Sequence, residues 1–385
     1  MNLGKLVALA AFGGVIGVAT LFNGLDRLSE ETPGLARLVP APFSAAARVA
    51  AANRAAANKD YAQVENAAAR AVAVSPMDRN AVGLLATARL AAGKWDDADA
   101  AFRLSGQLGW RDIPTQLYWY QVGVESGDYT LAAQRIDAVL RAYPDYPNSP
   151  ALLAPLEGSP AGQAALVTRL VERPAWLATY AVPPKDAPVA TLETRALILQ
   201  TLARRGITLG CSGVKDLTTG LVDEGRRRSA QALWTAHCTR VPGNTLIYDA
   251  KFQALDEQKR SPFDWKTYDS GASSAQTEVQ SDGQLAASVS NTSPFTTPIL
   301  AQIVSLEPGQ YRVRLKTDAS AAANRLFATL SCGKSPQRNG SPPKGLTAEG
   351  QDVTSNGCAN QLLTIWAAPG PETLVLRQIE IKKLR

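Results

Sequence analysis

The sequence predicts a multidomain chain: an α-helical repeat solenoid followed by an all-β sandwich of the jelly-roll kind, with one transmembrane helix at the N-terminus. Three observations predict it. Residues Leu6 to Leu25 carry no charge. The aromatics Tyr61, Trp95 and Tyr129 stand 34 residues apart, each just after a glycine or asparagine and a charged residue. The segment YRVRLKT, Tyr311 to Thr317, alternates strictly between apolar and basic side chains. A chain of 385 residues has room for two or three cores.

Taken in order, the uncharged run from Leu6 to Leu25, which opens LVALAAFGGVIGVATLF, is long enough to cross about 30 Å of hydrocarbon. Lys5 precedes it and Asp26, Glu30 and Glu31 follow, which puts the start in the cytoplasm and the bulk of the chain outside. The expectation is a single-pass helix in a bacterial inner membrane with the rest in the periplasm. The alternative is a signal peptide cut after Ala19, which also exports the remainder. Residues 1–25 are then the anchor or signal, and 26–43, with Pro33, Pro40 and Pro42, a tether. Export lets thiols pair. Of the three pairings open to four cysteines, proximity suggests Cys211 with Cys238 and Cys332 with Cys358.

Residues 44–148 hold three blocks, from Ala47, Ala81 and Thr115, each with two helical runs broken at Asn58-Lys59-Asp60, Gly93-Lys94 or Gly127-Asp128. A residue in the left-handed conformation ends the first helix, and the neighbouring acid or lysine faces water. Tyr61, Trp95 and Tyr129 then pack into the wedge between the helices, while Ala98 and Ala132, three residues on, let the helices approach. This pattern resembles the tetratricopeptide repeat, although the Trp-x-x-Leu-Gly-x-x-Tyr signature of the first helix is degenerate. Residues 149–241 lose the period and keep helical patterning, with a break at Pro174. Arg226, Arg227 and Arg228 read as a solvated helix face.

Residues 242–385 change character. YRVRLKT, LFATLSC, QLLTIWAA and TLVLRQIEIKKL read as strands between Gly, Pro and Ser clusters. Phe252, Pro262, Trp265, Gln302, Pro308, Gly309 and Tyr311 occupy places that resemble galactose-binding-like jelly rolls, the fold of many carbohydrate-binding modules. Asp249-Ala250-Lys251 departs from the Asn-Gly opening of such modules. Asp264 and Asp269 flank Trp265 and Tyr268, a set able to stack on a sugar and bond its hydroxyls; the competing reading buries Trp265 in the core.

Net charge is +6, but the basic residues are dispersed, so no nucleic-acid partner is expected. His237 is the only histidine, and no Cys-x-x-Cys or phosphate loop occurs, which leaves no expected metal, cofactor or catalytic residue. The expected function is a non-enzymatic envelope scaffold that binds a protein through its repeats, with a glycan as the candidate ligand of the sandwich, in exopolysaccharide or cell-wall assembly. The alternative is a glycan-processing hydrolase using acids of the sandwich.

Overall fold

In the computed structural model of the chain each of the three blocks forms a helical hairpin. Residues 11–238, 246–253, 255, 261–318, 325–333, 335–336, 350–358 and 361–384 are described, together with the backbone of 3–10. The domain boundary placed at residue 242 and the side chain of Lys5 lie outside them. The hairpins are α2 (Ala45–Ala57) with α3 (Tyr61–Val74), α4 (Arg79–Ala91) with α5 (Trp95–Gln107), and α6 (Ile113–Ser126) with α7 (Tyr129–Ala142). Their turns pass through the left-handed region at Lys59 (φ 57°), Gly93 (φ 72°) and Gly127 (φ 74°). In the first turn Lys59, not Asn58, takes that conformation.

The acids at these breaks do more than face water. Asp60 accepts from Gln63 N at 3.1 Å and Asp128 from Leu131 N at 2.9 Å, so each caps the second helix of its hairpin. A side-chain oxygen there satisfies a helix-start N–H that has no partner within the helix. Asp78 and Asp112 do the same for α4 and α6. Lys94, which cannot accept, instead bonds Glu65 at 2.9 Å.

Ala98 and Ala132 are fully buried, and Phe102 and Ile136 continue the same stripe. A Cβ on Gly123 would lie 2.8 Å from Ala132 N, so α6 and α7 meet backbone to backbone. The hinge aromatics sit differently from expectation. Trp95 is 68% and Tyr61 39% exposed, with Tyr129 half-buried, because each opens its helix at the edge of the hairpin rather than between its arms.

Among the described residues no helix is long and apolar enough to cross a membrane, which overturns the anchor, the single-pass inner-membrane location and the membrane as a partner. The first helix, α1 (Leu3–Glu31), does not stop at Leu25; it continues through Asp26, Arg27, Glu30 and Glu31. Nor are residues 26–43 a free tether. The buried Asp26 carboxylate accepts from Ala46 N at 2.8 Å and Ala47 N at 2.9 Å, capping α2, whose own Ser44 makes no side-chain cap. The Phe22 ring stacks on Phe43.

The chain forms two compact units, Met1–Ala165 and Leu166–Arg385. The first ends with α8 (Ser149–Glu157) and the start of α9 (Pro160–Leu170). The second holds α10 (Trp176–Ala181), α11 (Val189–Arg204), α12 (Gly210–Asp223) and α13 (Arg227–His237), then an open two-sheet sandwich. One sheet runs β1 (Lys266–Thr267), β4 (Thr297–Val304), β8 (Gln361–Ala367), β6 (Leu326–Cys332). The other runs β2 (Ser273–Val279), β3 (Leu285–Asn291), β9 (Gly370–Lys383), β5 (Gly309–Thr317), β7 (Gln351–Ser355). Phe252, Trp265, Val289, Leu363, Ile365 and Leu376 are among the residues filling the space between them. Cys211 is bonded to Cys238 across α12 and α13, and Cys332 to Cys358 across the start of β8.

The division at 165/166 puts the last helices in one unit with the sandwich, and Arg227 shows why. It is 4% exposed, donating to Gln361 O at 2.8 Å and Val304 O at 3.4 Å, so α13 is tied to the ends of β8 and β4. The solvated-face reading therefore fails for Arg227, whose pKa burial pushes down to about 10, while Arg226 on the surface meets Glu193 at 3.4 Å. His237 is buried too. Its Nδ1 accepts from Leu209 N at 3.2 Å, which leaves Nε2–H to donate to Leu199 O at 2.9 Å.

Two outcomes follow from these contacts. Gly123→Ala forces a methyl against the Ala132 backbone and should destabilise the first unit by about 1–3 kcal/mol in urea unfolding. His237 is neutral in the fold, its pKa lowered from 6.5 mainly by burial. The unfolded chain takes up this proton and the folded chain does not. Its stabilising share is therefore complete above the unfolded value and is lost as pH falls below about 6.5. Urea unfolding at pH 7, 6 and 5 should show a loss of up to about 1.4 kcal/mol per pH unit that His237→Gln lacks.

Candidate functional site

The features best suited to recognition gather where α5, α6 and α7 meet. Trp110 follows Gly109, whose φ of 137° suits glycine, in the turn from α5 to α6. Its ring is held half in water, 50% exposed, because the Arg135 guanidinium of α7 lies 4.1 Å from its centroid. Arg135 Nη1 donates to Gln116 Oε1 at 3.1 Å. Gln116, wholly buried on α6, reaches back with Nε2 to Gly109 O at 3.4 Å, closing the group. The Arg135 Nε–H is buried and meets no acceptor, and burial lowers the pKa of the group.

The adjoining α5–α6 surface is more fully satisfied. Tyr118 stacks on Phe102 with centroids 4.1 Å apart, and its hydroxyl donates to Asp99 at 2.7 Å. Asp99 also accepts from Arg103 Nε at 2.6 Å. These two bonds hold the Asp99 carboxyl below its ordinary range, Arg103 contributing first; burial, with the Asp99 bond next, pushes Tyr118 up to about 12. The Trp119 Nε1–H donates to Phe102 O at 3.2 Å, and Arg103 lies 5.9 Å from its ring. A Cβ on Gly106 would meet Trp119 Nε1 at 3.1 Å, so a larger residue there would push the indole aside.

Nothing in the 34-residue period marks Arg135 or Gln116, and Trp110 stands where the neighbouring blocks have Pro76 and Pro144. An aromatic where the period calls for proline was the one available signal.

The sandwich residues singled out for sugar binding are not brought together as a stacking site. Trp265 is 2% exposed, its ring 5.3 Å from Phe252 and its Nε1–H bonded to Asp249 O at 2.9 Å, so it has no free face for a sugar. Asp264 accepts from Ser261 N at 2.7 Å and closes a turn. Tyr268 is half-buried beneath Lys266, whose Nζ lies 5.3 Å from the ring centroid, and Asp269 is exposed on the rim. Trp366 is buried as well, bonded to Thr329 at 2.8 Å. Among the described residues no group of three or more His, Cys, Asp or Glu is placed to hold a metal ion.

No family model matches the chain, and no curated protein matches it. The resemblances to tetratricopeptide repeats and to galactose-binding-like modules therefore give way to a coarser statement: a stack of α-helical hairpins followed by an open β-sandwich. The physical departures agree with this. The hinge aromatics lie outside the wedge. At the opening of the sandwich, where the resemblance leads one to expect an Asn-Gly pair, Asp249 takes a left-handed backbone (φ 52°).

Gln116→Leu keeps the volume and removes the acceptor that fixes Arg135. It should cost about 1–3 kcal/mol in thermal unfolding, and freeing the guanidinium from Trp110 should change the fluorescence of that indole.

Proposed function

We propose that this chain is a non-catalytic adaptor of an oxidising, extracytoplasmic compartment, and that its helical hairpins hold a protein partner at the α5–α7 surface. The observation carrying this reading is the Trp110–Arg135 pair: an indole 50% exposed, with a guanidinium fixed against it by a buried glutamine. Tryptophan, tyrosine and arginine held rigidly at a surface are the residues that dominate binding energy in protein interfaces. Two disulfides support the compartment, since such bonds persist where thiols are oxidised.

The second reading is a glycan-processing hydrolase using acids of the sandwich. Acid catalysis of glycoside cleavage needs a carboxyl whose pKa is raised. Asp282, Glu307, Asp352 and Glu380 are all shifted the other way, held low first by hydrogen bonds from the Gln284 backbone, Lys383, Arg312 and Lys316 respectively.

A photo-crosslinking residue placed at Arg111, beside Trp110, should capture one protein species in intact cells. Capture should fall several-fold when Trp110→Ala is added, and the same residue at Val279 of the sandwich should not give that species. Equal capture from both positions, or capture indifferent to Trp110, would overturn the assignment.

A further inference from the structure

We propose that Arg135, together with the open face of Trp110, is a receptor for a carboxylate on an extended acidic segment of the protein partner. The inference rests on the reading of the α5–α7 surface as a partner platform and adds the chemistry of what it holds.

Three other cations of the hairpins are paired within the molecule: Arg103 with Asp99 at 2.6 Å, Arg141 with Asp137 at 2.8 Å, Lys94 with Glu65 at 2.9 Å. Among the described residues Arg135 has no such partner: a neutral amide and an indole hold it, and its Nε–H, buried without an acceptor, is closed to water, so a ligand meets the Nη side of the group. Withdrawing a cation from water without a counter-charge is costly, and an arriving anion recovers that cost. Because Trp110 lies against the guanidinium and Gln116 takes Nη1, the orientation is fixed before anything binds. A planar carboxylate can then take the donors that remain, in charge-assisted hydrogen bonds.

The exposed part of the Trp110 ring is what selects a peptide over a bare anion. It is an apolar shelf beside the charge, suited to an aliphatic side chain adjacent to the Asp or Glu. A free dicarboxylate would use the guanidinium alone.

A display library of seven-residue peptides should be selected on the full chain and the enriched peptides measured by fluorescence anisotropy. Each is compared with its amide version, Gln for Glu or Asn for Asp, and with glutarate as the bare carboxylate. The expected winners carry Asp or Glu beside an apolar residue. The amide versions and Arg135→Gln should each weaken binding at least tenfold, Arg135→Lys should restore part of it, and glutarate should compete only at millimolar concentrations. Circular dichroism of the variants checks that they fold, and the amide peptides test the same contact in the unaltered protein. Winners without an acid, binding unchanged by both Arg135→Gln and the amide, or competition by micromolar glutarate would overturn the carboxylate receptor while leaving the platform standing. Failure to enrich any peptide that Trp110→Ala weakens would overturn the platform itself.

Discussion

The approach of α6 to α7 at Gly123 is the constraint on which the candidate site depends. With the position of a Cβ only 2.8 Å from Ala132 N, the two helices leave no room for a side chain between them. Arg135 lies one helical turn beyond Ala132 on α7, and Gln116 two turns before Gly123 on α6, both on the contacting sides. Only helices this close let the guanidinium meet the buried amide and still cover Trp110. Packing thus sets the chemistry: the same small residues that close the hairpin aim a cation at an exposed ring. Ala98 has the corresponding place in the preceding hairpin, where the surface beside it is occupied by Asp99, Arg103 and Tyr118 instead.

The sandwich obeys a different constraint, the need to satisfy backbone groups at sheet edges and beyond strand ends. Three buried glutamines do this by placing one amide against one peptide unit. Gln302 accepts from Tyr248 N and donates to Tyr248 O; Gln361 does the same with Leu306, and Gln351 with Ala328. Each side chain acts as a short piece of strand. Arg227 extends the device to α13, its guanidinium taking two carbonyls at strand ends. These two carbonyls offset part of the cost of burying that charge, which couples the helix to the sheet edge.

The stack was legible because its period is long and its signals are local. Breaks at residues 58–60, 93–94 and 127–128, and alanines three places after Trp95 and Tyr129, are backbone requirements that a sequence states directly. Strands with apolar alternation or continuous apolar runs were equally readable, including β8, which is buried along its whole length. What escaped had no such period. SSAQTEV of β2 is too polar to announce a strand; it is specified by its pairing with β3, not by its own composition. Asp26 reads as a flanking charge, and its role as the cap of α2 emerges only when the chain folds back twenty residues later. The apolar run before it suggested a membrane span because hydropathy alone cannot show that the helix continues through four charged residues. Arg135 escaped because an arginine on a helix is usually paired or solvated, and only three dimensions reveal that its neighbours are neutral.

The aromatic residues now divide by role. Trp176, Trp234, Trp265 and Trp366 are buried, whereas Trp95 and Trp110 stand at the surface of the helical stack, and Trp110 alone of these two has a cation fixed against its ring. The most direct test is fluorine NMR of the full chain labelled with 5-fluorotryptophan, titrated with an acidic peptide that binds it. The resonance of Trp110, assigned by its loss in Trp110→Phe, should shift with the titration while the four buried indoles keep their positions. A Trp110 signal that stays still while Trp265 or Trp366 moves would place recognition in the sandwich and contradict the account.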